Sequence, residues 1–147
     1  ELPDQETTDF EKCLYTVSSP LYLAAGFTGR RTDHTLAAFH ALLRHPGKSV
    51  VLIGEDDVIA NVPAGHEIRL DLAIGDRVSF VPLAPIRGTH SAGLAWSING
   101  LEMAMGTQIG TSNRVVGRDV RFSFDRPGAL VLLERHALLP LVRALAD

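Results

Sequence analysis

Val120-Arg121-Phe122-Ser123-Phe124-Asp125-Arg126-Pro127-Gly128-Ala129-Leu130-Val131-Leu132-Leu133 decides the fold class of most of this chain. The first five residues alternate apolar and polar, the period of a strand with one face buried. Asp125 is followed by Arg126-Pro127-Gly128, a turn cluster, and residues 129–133 form a short, wholly apolar run that reads as a buried strand. Further back, residues 68–72 alternate in the same way and residues 78–81 less cleanly. Gly65, Gly75-Asp76, Pro82 and Pro85 punctuate them. Many short strands separated by such turns read as an antiparallel sandwich or barrel. Residues 138–146 are apolar at helical spacing and close the chain.

The pattern is different before residue 54. Residues 21–25 are a short apolar run that ends at Gly26-Phe27-Thr28-Gly29. Residues 33–45 carry Leu36, Ala37, Phe39, Leu42 and Leu43 close to helical spacing and stop at Pro46-Gly47. Residues 49–53 are a β-branched strand. Strand, helix, strand is a βαβ layout with a parallel sheet. The sequence therefore predicts an α/β fragment, the end of a parallel-sheet α/β domain, over 1–55. An all-β sandwich domain with a C-terminal helix is expected over 56–147.

Composition narrows the class. The 147 residues carry a net charge of −3, 46% are hydrophobic and 21% charged, as in ordinary globular proteins. No Lys/Arg stripe marks a nucleic-acid partner, and no apolar run is long enough to span a membrane. A single cysteine, Cys13, forbids an intrachain disulfide and fits a cytoplasmic location. Glu1-Leu2-Pro3-Asp4 is neither a methionine start nor a signal sequence, so the natural chain is expected to continue upstream.

Four segments carry candidate chemistry, each with a plainer structural reading beside it. Asp4-Gln5-Glu6-Thr7-Thr8-Asp9 groups acids that suit Mg²⁺ and, through it, phosphate; Thr8 followed by Glu11 is equally a helix capping box. Gly26-Phe27-Thr28-Gly29-Arg30-Arg31-Thr32-Asp33-His34 leads from a strand through glycines into a helix, where free N–H groups and an arginine fork attract phosphate. The alternative is an ordinary βα turn with Thr32 or Asp33 as N-cap. Trp96, the only tryptophan, is either core or a flat platform for a ring. The small, polar stretch from Gly106 to Asn113 is either a long turn or a source of hydroxyls and an amide for a heterocycle. His34, His40 and His45 are spaced six and five apart, which is wrong for a helical zinc pair.

Taken in order, these segments resemble the thiamine pyrophosphokinase family. Asp4-Gln5-Glu6-Thr7-Thr8-Asp9-Phe10-Glu11-Lys12 is similar to the family's Asp-Gln-Asp-x-Thr-Asp-Phe-x-Lys. Gly29-Arg30-Arg31-Thr32-Asp33-His34-Thr35-Leu36-Ala37 resembles Gly-Gly-Arg-Phe-Asp-His-x-Leu-Ala. Gly93-Leu94-Ala95-Trp96-Ser97-Ile98 resembles Gly-Leu-x-aromatic-x-Leu, and Gly106-Thr107 with Gly110-Thr111-Ser112-Asn113 resembles Gly-Thr…Ser-Thr-Ser-Asn. Arg30, Ala38 and Gly110 depart from the family's glycine, asparagine and serine, and its upstream Gly-Asp-Phe-Asp-Ser segment is absent.

The resemblance implies transfer of diphosphate from ATP to the hydroxyl of thiamine, with Mg²⁺ as cofactor and ATP as co-substrate. It implies a homodimer with sites between subunits. Asp4, Asp9 and Asp33 take the catalytic positions, with Asp4 and Asp9 toward the metal. Gln5, Arg31 and His34 face ATP and its phosphates, and Trp96, Thr111, Ser112 and Asn113 bind thiamine. Without the upstream aspartates, this chain alone is expected not to catalyse. The alternatives are another alcohol acceptor, such as a pterin, or a non-catalytic thiamine-binding and dimerisation module.

Overall fold

A computed structural model describes residues 7–146. Asp4 and Gln5, named above for metal and phosphate, lie outside the described residues.

Helix α1 (Asp9–Thr16) is capped by Thr8, whose hydroxyl accepts from the Glu11 N–H at 3.3 Å. The capping box is only half made. The Glu11 carboxylate does not return to the cap; its side chain is 3% exposed and accepts from Arg44 Nη1 at 3.0 Å. An intramolecular cation 33 residues away outcompetes the local N–H, and it ties α1 to α2 (Thr32–Arg44). Strand β1 (Tyr22–Ala25) precedes α2 and β2 (Val50–Ile53) follows it; β1 and β2 pair in parallel, as the strand–helix–strand pattern predicts.

The chain then turns back at once. β3 (Asp57–Asn61) is antiparallel to β2, pairing Val51 with Ala60 and Ile53 with Val58. One hydrogen-bonded sheet thus runs through residue 55. Next come β4 (Ile68–Leu70), β5 (Arg77–Pro82), β6 (Ile86–Ala92), β7 (Glu102–Met103), β8 (Gly110–Arg114), β9 (Val120–Phe124) and β10 (Ala129–Glu134). A short 3₁₀ turn (Arg135–Ala137) leads into α3 (Leu138–Ala146).

Two sheets result, ordered β1-β2-β3-β10-β5-β8 and β4-β9-β6-β7. The turn at Asp125–Gly128 carries the chain from one to the other, since β9 and β10 belong to different sheets. The six-stranded sheet is the middle layer. On one side Phe80, Phe122 and Phe124 interlock, with ring centroids 4.9 and 5.5 Å from Phe80, and Val131, Leu133 and Leu141 join them. On the other side Phe10, Leu14, Ala41 and Leu42 cover Val50, Leu52, Ile59 and Leu130. Both faces of β2 and β10 are covered, which is why their sequences are continuous apolar runs. The structure is mostly β with a C-terminal helix, as expected for residues 56–147.

Four strands escaped the pattern reading. β8 contains no apolar side chain, and β6 reads Ile-Arg-Gly-Thr-His-Ser-Ala. Both are held by backbone pairing to partners far away in sequence, a bond that needs no side-chain pattern.

Candidate functional site

Two clefts gather the candidate side chains. The first, of about 470 Å³, lies between the starts of α1 and α2 and is lined by Asp9, Phe10, Gly26, Phe27, Asp33 and His34 among others. A second opening of about 340 Å³ continues it along residues 26–31, with Arg31 and His34 on its wall. The loop leaves the carboxyl end of β1, and Gly26 and Gly29 take φ of 84° and 137°. These values favour glycine and let the backbone turn sharply into α2.

The N-cap of α2 differs from expectation. Arg31 holds that position with no side-chain cap bond, and neither Thr32 nor Asp33 serves. The helix begins at Thr32, so Thr32 and Asp33 are already helical, and Asp33 pairs with Arg31 instead: Arg31 Nε and Nη2 donate to its two carboxylate oxygens at 3.2 and 2.6 Å. The guanidinium holds the Asp33 carboxyl below the usual carboxylate range, and Asp33 raises Arg31 in return. Thr35 accepts from the Gly29 N–H at 3.3 Å and steadies the loop. Asp9 is 98% exposed, with Lys12 Nζ at 3.7 Å. Asp9, Arg31, Asp33 and His34 therefore share one region, at a helix start with free N–H groups suited to an anion.

The second site, about 230 Å³, is lined by Trp96, Ser97, Leu101, Gln108, Ile109, Thr111 and Asn113 among others. Trp96 is 61% exposed, so it is not a core residue. Asn113, in contrast, is 4% exposed. Its Oδ1 accepts from the Trp96 N–H at 3.1 Å, and its Nδ2 donates to the Trp96 carbonyl at 2.6 Å. Ser112 sits at φ 62° with its side chain exposed, and its N–H donates to Ser79 Oγ at 2.9 Å. The sequence reading singles out the 106–113 stretch but takes only Thr111, Ser112 and Asn113 from it, so Gln108 and Ile109 are not named as site residues. It misses Leu101, which no sequence signal marks.

The two sites stand at opposite edges of the six-stranded sheet, one after β1 and the other on β8. Five strand spacings separate them, roughly 24 Å. A third grouping involves a histidine: Asp76, Glu134 and His136 hold their donor atoms within 4.8 Å of one another. His136 Nε2 is 3.2 Å from Asp76, and the backbone N–H groups of Ala73 and Arg77 bond Asp76 and Glu134, so internal partners already occupy these groups.

Among the described residues no helix is long and apolar enough to cross a membrane.

Known proteins resemble this chain along most of its length. Residues 65–128 match the family described as thiamin pyrophosphokinase, vitamin B1 binding domain. Thiamine pyrophosphokinase 1 of Arabidopsis thaliana is 35% identical over 138 residues, covering 85% of this chain and 52% of its own length. Thiamine pyrophosphokinase 2 of the same plant is 34% identical over 128 residues, covering 78% and 48%. The chain thus spans about half the length of these curated relatives. The solved thiamine pyrophosphokinase of Bacillus subtilis superposes with a TM-score of 0.74 at 22% identity, over 89% of this chain and 64% of that one, and so shares the fold. That of Geobacillus thermodenitrificans gives 0.73 at 18%, over 89% and 62%.

Proposed function

We propose, for a chain that belongs to the thiamine pyrophosphokinase family, that the protein from which it comes transfers diphosphate from ATP to the hydroxyl of thiamine. The observation that carries this reading is the open face of Trp96 above a small cleft, inside the segment matched by the vitamin B1 binding model. Thiamine offers a pyrimidine to stack and a cationic thiazolium to sit on an indole. Thr111 adds a hydroxyl at the cleft wall.

The start of α2 is the phosphate end of this reading. Arg31 uses two of its five donors on Asp33, and the rest remain for phosphate oxygens. The thiamine hydroxyl attacks the β-phosphorus of ATP in line, and AMP departs. Catalysis of this kind rests on positioning and charge neutralisation. Asp9 and Asp33 are the two carboxylates in the cleft and the candidates to accept the hydroxyl proton. His34 lines both openings beside them. Asp9, with Asp4 as the second carboxylate and Gln5 kept for the phosphates, suits Mg²⁺, a hard cation that takes one or two carboxylates and completes its shell with phosphate and water. Bound there, Mg²⁺ would neutralise the charge of the polyphosphate.

The spacing of the two sites supports a homodimer. Reacting atoms must come within about 3.5 Å, whereas the α2 cleft and the Trp96 cleft of one chain lie at opposite sheet edges. This separation supports a site in which the α2 cleft of one copy faces the Trp96 cleft of the other. On this reading residues 1–55 are the remainder of an ATP-binding α/β domain, 56–147 the thiamine-binding domain, and the location is cytoplasmic.

The test is the whole natural protein assayed with ATP, Mg²⁺ and either thiamine or a pterin alcohol, reading AMP and the diphosphate ester. Turnover with the pterin and not thiamine would replace the acceptor. Mixing Trp96→Ala and Arg31→Ala proteins, each impaired alone at subsaturating thiamine and ATP, should restore about a quarter of wild-type activity under those conditions through mixed dimers with one intact site. No recovery would refute the shared site.

A further inference from the structure

We infer that Asn113 is a positioning residue that sets the indole of Trp96 as a stacking wall, by standing in for a strand backbone rather than by touching the ligand. The inference rests on the thiamine-binding reading of the cleft, and its core is independent of which ring stacks there.

Trp96 is too exposed for packing to fix its orientation. Residues 94 and 95 run antiparallel to the end of β8: Leu94 bridges Val115, and the Ala95 N–H donates to the Arg114 carbonyl at 2.8 Å. At Trp96 a side chain takes over. The carboxamide of Asn113 accepts from the Trp96 N–H and donates to the Trp96 carbonyl, the two bonds that a facing peptide would make. Asn113 Oδ1 also accepts from the Arg114 N–H at 2.8 Å. Oδ1 therefore carries two bonds and Nδ2 one, and one N–H is left. The group is occupied with the platform's backbone.

A bulge aims this side chain. β5 pairs Val78 with Asn113 and Phe80 with Gly110, so two steps of β5 face three of β8. The surplus falls at Thr111 and Ser112, which are exposed in succession; Asn113 then turns inward. Ser112 is the one non-glycine residue with positive φ among those described, and Ser79 Oγ anchors its N–H. A bulge re-aims the side chains that follow it, and here it directs Asn113 beneath Trp96.

Because Trp96 is the only tryptophan, its fluorescence reports this residue alone. Time-resolved anisotropy of the ligand-free chain should show a larger fast component in the Asn113→Ala variant. Asn113→Asp, close in size but lacking the donor to the Trp96 carbonyl, should fall between that variant and wild type. Circular dichroism of each checks the fold. In thiamine titrations Asn113→Ala should weaken binding about tenfold, and it should weaken it no further when Trp96 is already alanine. Unchanged anisotropy in either folded variant overturns the inference. So does an undiminished loss in the Trp96→Ala background, which would mean direct ligand contact. Unfolding of both variants would make Asn113 a folding residue and overturn it as well. If wild type binds no thiamine, the proposed function fails, and anisotropy alone decides the role of Asn113.

Discussion

Replacing Trp96 by alanine should separate binding from folding. At 61% exposure the residue hides on the order of 100 Å² against the protein. At ~25 cal/mol per Å² its truncation costs the fold roughly 2 kcal/mol at most. A domain of this size has ~5–15 kcal/mol in hand, so the chain stays folded, with Tm lowered by roughly 10 °C or less. The loss to thiamine is of similar size but falls on a smaller total. Stacking on a pyrimidine contributes ~0.5–1.5 kcal/mol and a thiazolium cation over the indole ~0.5–2 kcal/mol. Together about 1–3.5 kcal/mol disappears, a weakening of roughly 5- to 350-fold. Calorimetric titration with thiamine measures it, with circular dichroism and a thermal melt as fold controls. Trp96→Phe, which keeps a ring face, should lose less. An unchanged Kd in Trp96→Ala would refute the platform, and a collapse of the β domain would show that the ring supports the fold after all.

Gly93→Ala should destabilise by about 2–4 kcal/mol in a thermal melt, because Gly93 has φ 72° and an added Cβ would lie 2.6 Å from the Asp119 carbonyl oxygen. Arg31→Ala in the whole natural protein should raise the KM for ATP about tenfold, the loss of one charge-assisted contact. Thiamine affinity should be unchanged, and an unaltered ATP dependence would remove Arg31 from the phosphate end. Asp125 is held below the usual carboxylate range, first by its bond to Arg126 and also by the Arg87 N–H. With the folded value depressed, its contribution is present above about pH 4 and lost as pH falls through the lowered value. Tm should therefore fall less on acidification in Asp125→Asn than in wild type, and parallel Tm–pH curves would contradict this.

The strands at 68–70, 77–82, 120–124 and 129–134 and both long helices were legible locally, because each buries a face and burial writes a period into the sequence. The Thr8 cap was legible for the same reason: its partner is three residues away. Family motifs identified Trp96, Arg31 and Asp33 as residues of interest. Tertiary structure alone decided the rest. β8 has no apolar residue and exists because β5 offers it a backbone edge. Glu11 looked like a cap partner until α2 brought Arg44 to it. Trp96 reads as core or as a platform from its local sequence, and only the fold, in which Asn113 bonds its backbone, shows it exposed. In each case the deciding bond joins groups distant along the chain, and a hydrogen bond between them leaves no period in the sequence from which to read it.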